Sequence, residues 1–482
     1  MRALAFALVF SLPVSLATNA LAGPEFHANV SSFTTRLPLI HINSNGKGIA
    51  KDADTAATVT IQDGAENRST ELLRSAPAFR AKIEMRGNAS SSWAKRQYDL
   101  ELVDAAGEEV KAPLLGLPAH HKWILAAPYS DRTFIRNALA FDLARSLGDG
   151  DGEWWAPHTR AFELFLNGRY QGIYVLTEKI DESKNRLGLG KTNWAEPYKS
   201  PFLVKVEKVR RDERLPDMWF QTAYNTPVNY SWPKAKNFAK QRSKDSRSVK
   251  LLQHHIQLTM HNFETAVKTI KQGDTQSYRK LVDITSVQNF ILTNEIYRNI
   301  DGFRRSIYLN YRDGKLHLGP VWDFDLGWAN LNALSQMKSR GWQGGHSWYI
   351  DGNNEIFWFR TLLKDPAFQR DLARRYLSMR KAGGPLSTGV LMRKIDAMVA
   401  ELKGGPVERN FTVWSVNGAR SDGLVMWLTP RFRGSFSYSG HLAWLKAWLL
   451  DRLEWMDEHI YEIGGEVAQE RADSLVMRPW LN

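Results

Sequence analysis

The sequence contains no cysteine. Its absence excludes thiol nucleophiles, thiolate zinc sites and cysteine-bound iron–sulfur clusters, and leaves the fold to a hydrophobic core without disulfides. With 482 residues the chain is long enough to build such a core. Beyond the N-terminal segment no apolar run is long enough to span a bilayer, so no transmembrane segment is expected in the mature chain. There is no internal repeat and no Gly-x-Gly-x-x-Gly phosphate loop. RNP, zinc-finger and helix-turn-helix patterns are also missing, which matters because the formal net charge is +13 and the pI is near 9.6. A basic balance suits nucleic acid, an anionic cell surface or an anionic substrate such as a nucleotide. The one dense basic run, Lys234 to Lys250, reads as a solvated insertion, and nucleic acid is not expected as a partner.

What is present begins with a three-part N-terminal signal. Arg2 precedes a mostly apolar stretch from Ala3 to Ala17, and Ala20-Leu21-Ala22 supplies the small-x-small pattern of a cleavage site. The pattern predicts a signal peptide over 1–22, cleaved before Gly23, against the alternative of an N-terminal membrane anchor. A soluble protein, secreted or periplasmic in the cell envelope, is expected, and cysteine-free export suits a bacterial envelope.

Period-two alternation and turn dipeptides dominate the first half. Phe79–Met85 and Gln97–Val103 read as strands around a polar turn, with Tyr98, Leu100 and Leu102 alternating with polar residues. Asp131 to Leu147 reads as a helix closed by Gly148. Asn167-Gly168 lies between two apolar runs, Leu164 onward and Gly172-Ile-Tyr-Val-Leu, and marks a hairpin. The second half reads mostly as helices, at about 250–272, 284–297, 366–381, 387–402 and 438–460, interrupted by one hairpin, 306–322, turning at Asp313-Gly314. The expectation is an α+β fold in which a sheet-rich lobe, 23–190, precedes a helical lobe, 191–465, with a tail at 466–482. A cleft would fall at the joint, within 178–205.

Chemistry concentrates in 294–328. A helix ends near Arg298 and Asp301 follows in a loop beside Gly302. The hairpin comes next, and its second strand is expected to run through Trp322-Asp323-Phe324-Asp325. Residues two apart on a strand face the same way, so Asp323 and Asp325 would present paired carboxylates while Phe324 anchors in the core. Magnesium binds through hard oxygens, often one or two carboxylates plus substrate phosphates. An Asp-x-Asp after a strand is common without a metal. The order helix, loop aspartate, hairpin and metal-type aspartates gives it weight, because protein kinases use that order.

Asn299-Ile-Asp301 with Pro320-Val-Trp-Asp323-Phe-Asp325-Leu-Gly327 resembles the active-site signature of the spore-coat CotH kinase family. Arg86-Gly-Asn88 through Lys95-Arg96-Gln-Tyr98, Arg132-Thr-Phe-Ile-Arg136-Asn137 and Leu164 to Asp181 resemble other blocks of that family, and together the matches cover roughly 80 to 465. The resemblance implies a two-lobed atypical protein-kinase-like fold, ATP and Mg2+ (or Mn2+) as cofactors, and phosphorylation of secreted or surface proteins. Asp301 would be the catalytic-loop aspartate, and Asp323 and Asp325 the metal pair. Arg86, Asn88, Lys95, Arg96, Glu178 and Lys205 are candidate nucleotide contacts, each with an ordinary surface or ion-pair role as the alternative. Ser306 stands five residues after Asp301, where such a site often carries a metal-binding Asn; Asn310 or Asn299 could substitute. Two other readings compete: a non-catalytic surface or coat protein keeping the fold for binding, and a carbohydrate-active envelope protein, suggested by the 18 tryptophans.

Overall fold

Strands of alternating apolar and polar residues bury only one face, and closing a sheet on itself is one way to give seven such strands a common interior. In the computed structural model the residues described are 32–87, 89–148, 154–207, 215–330, 339–343, 356–415 and 437–463. The expected signal peptide, its cleavage site at Gly23, Asn88 and the tail at 466–482 lie outside them. Seven strands close into a barrel: β1 (Leu39–Asn43), β2 (Thr55–Gln62), β3 (Phe79–Arg86), β4 (Gln97–Val103), β5 (Lys122–Ala126), β6 (Thr159–Leu166) and β7 (Arg169–Glu178). Neighbours run antiparallel in the order β6-β7-β5-β4-β3-β2-β1, and a parallel pairing of β1 with β6 seals the ring. Ile42, Val59, Ile83, Leu100, Trp123 and Phe162 fill it. The hairpin turn at Asn167-Gly168 has φ of 48° and 75°, the paired left-handed geometry an Asn-Gly turn adopts.

A second unit is α+β. Strands β8 (Phe202–Val206), β9 (Trp219–Gln221), β10 (Pro227–Trp232), β11 (Ile307–Arg312) and β12 (Lys315–Leu318) form one sheet in the order β9-β10-β8-β11-β12. Around it stand α1 (Arg136–Leu147), α2 (Ser246–Thr269), α3 (Ile284–Tyr297), α4 (Pro366–Arg380), α5 (Thr388–Glu401), α6 (Pro406–Val413) and α7 (Tyr438–His459). Except for α6, which was not expected, these helices follow the expected spans to within a few residues, save that α1 begins at Arg136 rather than Asp131. The Asp131 carboxylate accepts N–H bonds from Thr133 (2.9 Å) and Arg136 (2.8 Å), so 131–135 forms a turn that caps the helix from outside. Although it precedes β6 and β7 in the chain, α1 packs into the core of the helical unit with Phe290, Phe359 and Trp358. The basic run forms a short helix, Ala235–Arg242, and the first turn of α2, where Asp245 caps. Among the described residues no helix is long and apolar enough to cross a membrane.

Helix α6 fastens the barrel to this unit. Arg409 donates to Glu163 at 3.0 and 2.8 Å, and Asn410 accepts from the Ile173 N–H at 3.1 Å. Gly172, at φ 85°, is required there: a Cβ would lie 2.3 Å from the Asn410 amide oxygen. Deeper, α3 is held to α7 by a fully buried ion pair, Arg452 to Glu295 at 3.0 Å, with the guanidinium also donating to the carbonyls of Ser339 (2.9 Å) and Gly341 (2.6 Å). Arg452→Met strips the buried carboxylate of its cation, and we expect it to cost about 3–5 kcal/mol in urea denaturation. Adding Glu295→Leu should recover most of that loss, because the buried charge goes with it.

Candidate active site

Helix α3 delivers the first aspartate. Arg298 takes the left-handed conformation (φ 42°) and turns the chain out of the helix. The loop is then held by Asn299, which donates to the Asn294 side chain at 3.2 Å and accepts the Asp301 N–H at 3.3 Å. Gly302 packs so tightly on Asn294 that a Cβ would come within 2.0 Å of its amide oxygen. The Asp301 carboxylate receives Arg304 at 2.8 and 3.0 Å and Arg305 at 3.4 Å, all on Oδ1.

The metal-type aspartates arrive differently from expectation. Strand β12 stops at Leu318, because Gly319 turns to φ 111° and Pro320 has no N–H to extend the ladder, so 322–325 is not strand. Asp323 is left-handed (φ 70°), and the two carboxylates nevertheless come close enough that each shifts the other's ionisation. Asn137 accepts the Phe324 N–H at 2.7 Å, Ser130 donates to Asp325 Oδ2 at 2.9 Å, Arg136 donates to the Gly327 carbonyl at 3.3 Å and Asn330 donates to the Asp325 carbonyl at 2.6 Å, which together hold the loop in place. Phe324 is fully buried edge-on to Tyr297, as expected. The block Arg132 to Asn137 thus supports the aspartate loop, a role the sequence alone did not reveal.

Lys205 joins the cluster from β8. It pairs across the sheet with Tyr308 and contacts Glu207 at 3.0 Å, and Ser306 donates to the same Glu207 oxygen at 3.1 Å while lying 3.4 Å from Asp323 Oδ2. Glu207 was missed in the sequence. Its signal was its place two residues after Lys205, on the same side of an alternating strand whose Val204 and Val206 are buried. Arg86 lies with its guanidinium over the Trp322 ring, 5.9 Å from the centroid, and pairs with Asp99 at 3.1 Å; that brings it beside the aspartate loop without touching the carboxylates.

Three other candidates are placed elsewhere. Lys95 is fully buried, donating to the Ile173 carbonyl at 2.6 Å and to Asn410 at 2.8 Å, so its ammonium serves the junction of barrel and α6. Burial, helped by Arg132, lowers its pKa well below that of an ordinary lysine. Arg96 gives its backbone carbonyl to the Tyr174 hydroxyl at 2.8 Å, and its Nη1 is buried without a partner among the described residues. Glu178 ends β7 and accepts the N–H and the ring Nδ1 of His158, both at 2.9 Å. Of the possible substitutes for Ser306, Asn310 donates to the Gly319 carbonyl at 3.3 Å and Asn299 is committed to its own loop.

Charge crowding shows in the acidities. Burial, then Asp325, pushes the Asp323 carboxyl up to about 7, with Lys205 only partly offsetting them. Burial likewise raises Asp325, and it raises Asp301 with Arg304 opposing and Asp323 adding to the rise. Between the ordinary value of 3.8 and about 7 the folded protein therefore keeps a proton on Asp323 that the unfolded chain has lost. The stability this group contributes is complete below 3.8 and disappears as pH rises through 7. In EDTA and at constant ionic strength, the melting temperature should carry a downward component across that window, and Asp323→Asn should flatten it. An unchanged slope in the variant contradicts the assignment.

The donor set is all oxygen: the Asp323 and Asp325 carboxylates, with Glu207 and Ser306 beside them. That suits a hard divalent cation such as magnesium or manganese. No curated protein matches the chain. A family model described as CotH kinase protein matches residues 83–456, from β3 to α7, taking in Asp301, Asp323, Asp325 and the loop supports. With the match covering most of its length, this chain belongs to the CotH family.

Proposed function

We propose that the protein is an exported phosphotransferase that moves the γ-phosphoryl group of ATP to Ser or Thr hydroxyls of surface or envelope proteins. The observation that carries the reading is the meeting of Asp323 and Asp325 in one contact pair electrostatically linked to Asp301, within a chain of the CotH family. The barrel and the helical unit then correspond to the two lobes of an atypical kinase, the N-terminal 22 residues to an export signal, and the nucleotide lies between the aspartate loop and the basic groups Lys205 and Arg86.

Asp323 and Asp325 would hold the magnesium or manganese ion, which when bound neutralises phosphate charge. Asp301 orients the acceptor: its Oδ1 is engaged by Arg304 and Arg305, which fixes the carboxylate and leaves Oδ2 to receive the hydroxyl proton. The acceptor oxygen forms the new bond to the γ-phosphorus, the bond to the β-phosphate oxygen breaks, and ADP leaves with that electron pair. Lys205 is kept charged: burial opposes its ionisation, but Tyr308, Glu207 and Asp323 outweigh it, so the ammonium suits a phosphate oxygen. Two carboxylates two residues apart in one loop, close enough to shift each other's ionisation, do not suit a glycosidase, whose pair stands at least about 5 Å apart across a sugar. Incubation with γ-labelled ATP, magnesium and envelope proteins tests the proposal. Labelled protein is expected with the wild type, whereas bound ATP without transfer to any of several acceptors would support the binding-protein reading.

A further inference from the structure

We infer that the face built by the short helix Ala235–Arg242 and the outer side of α2 docks on an anionic phospholipid surface. The inference does not depend on the phosphotransferase reading.

The face is anchored from behind. In the short helix Phe238 is fully buried against Trp194 and Tyr230, and in α2 Val249, Leu252 and Ile256 are fully buried. Helical spacing then turns Lys236 and Lys240 away from Phe238, and sets Arg247, Leu251, His254 and Leu258 along the side of α2 opposite Val249 and Ile256. Lys236, Lys240, Lys244, Arg247 and Lys250 are exposed and have no ion pair among the described residues. The nearby acids are engaged otherwise. Asp217 pairs with Arg242, and Asp245 caps α2 through the N–H groups of Arg247 and Ser248. Glu264, the one acid in α2, is fully buried and accepts from Thr226 and Trp358.

Local helix physics works against this arrangement. Lys236 and Lys240 stand four residues apart, where like charges repel, and Arg247 is the second residue of α2, at the positive end of its dipole. Solvation alone would be served as well by acids at these places. An external anion offsets what the cations cost the helices that bear them.

The leucines decide which anion. Leu251 and Leu258 are each 44% exposed, seven residues apart on the same side of α2 as Arg247. Nucleic acid would engage the cations and leave these leucines in water. At a bilayer surface both find partners, phosphate headgroups for the cations and the acyl boundary for the leucines, as on an amphipathic helix lying in the interface. Four of the five cations are lysines, whose point charges suit a diffuse layer of headgroups. The forked recognition of single peptide carboxylates favours arginine instead.

Co-sedimentation of the full chain with vesicles tests the inference, comparing equal parts phosphatidylglycerol and phosphatidylcholine with phosphatidylcholine alone. The neutral vesicles give the baseline, to which the apolar stretch Ala3 to Ala17 contributes equally in every variant. Wild-type binding should be stronger on the anionic vesicles and fall as salt rises. Each cation near such a surface strengthens binding about fivefold, so Lys236→Gln with Lys240→Gln and Lys244→Gln should weaken it by about a hundredfold. Leu251→Gln with Leu258→Gln should weaken it by about tenfold. Removing three exposed lysines elsewhere (Lys364→Gln, Lys381→Gln and Lys403→Gln) should change it by less than about fivefold, although the net charge falls equally. All the replaced side chains are exposed, and melting curves check that each variant is folded. Equal binding of the wild type to both vesicles would overturn the inference. So would equal losses in the two lysine triples, since attraction would then follow net charge and not this face. A leucine pair without effect, together with displacement from the vesicles by polyglutamate, would overturn the lipid assignment and give the face to an acidic protein.

Discussion

Asp301→Asn is expected to keep ATP affinity nearly unchanged and to lower phosphoryl transfer by about 10²- to 10⁴-fold. The two halves of this result separate because different groups perform the two tasks. In the proposed phosphotransferase, nucleotide and metal would be held by the aspartate loop after β12, which Ser130, Arg136 and Asn137 secure independently of residue 301. Asp301 would meet only the incoming oxygen, where loss of charge removes both the proton acceptor and the orientation of the hydroxyl. Asparagine keeps an Oδ1 able to accept from Arg304, so the loop should survive the change. The check is a comparison of initial rates with labelled ATP beside a calorimetric titration of the same preparations. Equal loss of binding and transfer would place Asp301 in the nucleotide site instead.

Asp325→Ala is expected to abolish metal-dependent ATP binding and leave the fold intact. Asp325 shares a close contact with Asp323, and without it the centre retains one carboxylate of the pair. Removing it also relieves like-charge repulsion in a buried place, so the melting temperature of the metal-free variant should not fall below that of the wild type by more than the lost Ser130 hydrogen bond allows. Calorimetry with ATP in magnesium and in EDTA reads the effect. Equal affinity of wild type and variant in both buffers would show that the pair does not hold the metal.

Local features were legible in the sequence, and long-range ones were not. Both turn dipeptides, Asn167-Gly168 and Asp313-Gly314, form their hairpins, and α3 spans 284–297 as its periodicity indicates. Barrel closure was invisible because period-two alternation identifies a strand and one buried face but not its partner; β1 and β6, more than a hundred residues apart, carry no mark of their pairing. Glu207 escaped for the same reason, since only the register of β8 on β11 brings it opposite Ser306. The convergence of Asp323 and Asp325 was anticipated through strand alternation, whereas the chain achieves it in a left-handed turn pinned by Asn137. Lys95 illustrates the limit for charged residues. A lysine in a polar stretch reads as exposed, and only the packing of α6 on β7 shows that its ammonium is buried against Ile173 and Asn410.

Whether the carboxylate cluster is a metal-dependent nucleotide site is decided by titrating ATP into the wild-type protein, once with excess magnesium and once with EDTA. Saturable binding at one nucleotide per chain is expected with magnesium and none with EDTA. Absence of binding in both conditions, or the same binding in both, would contradict it.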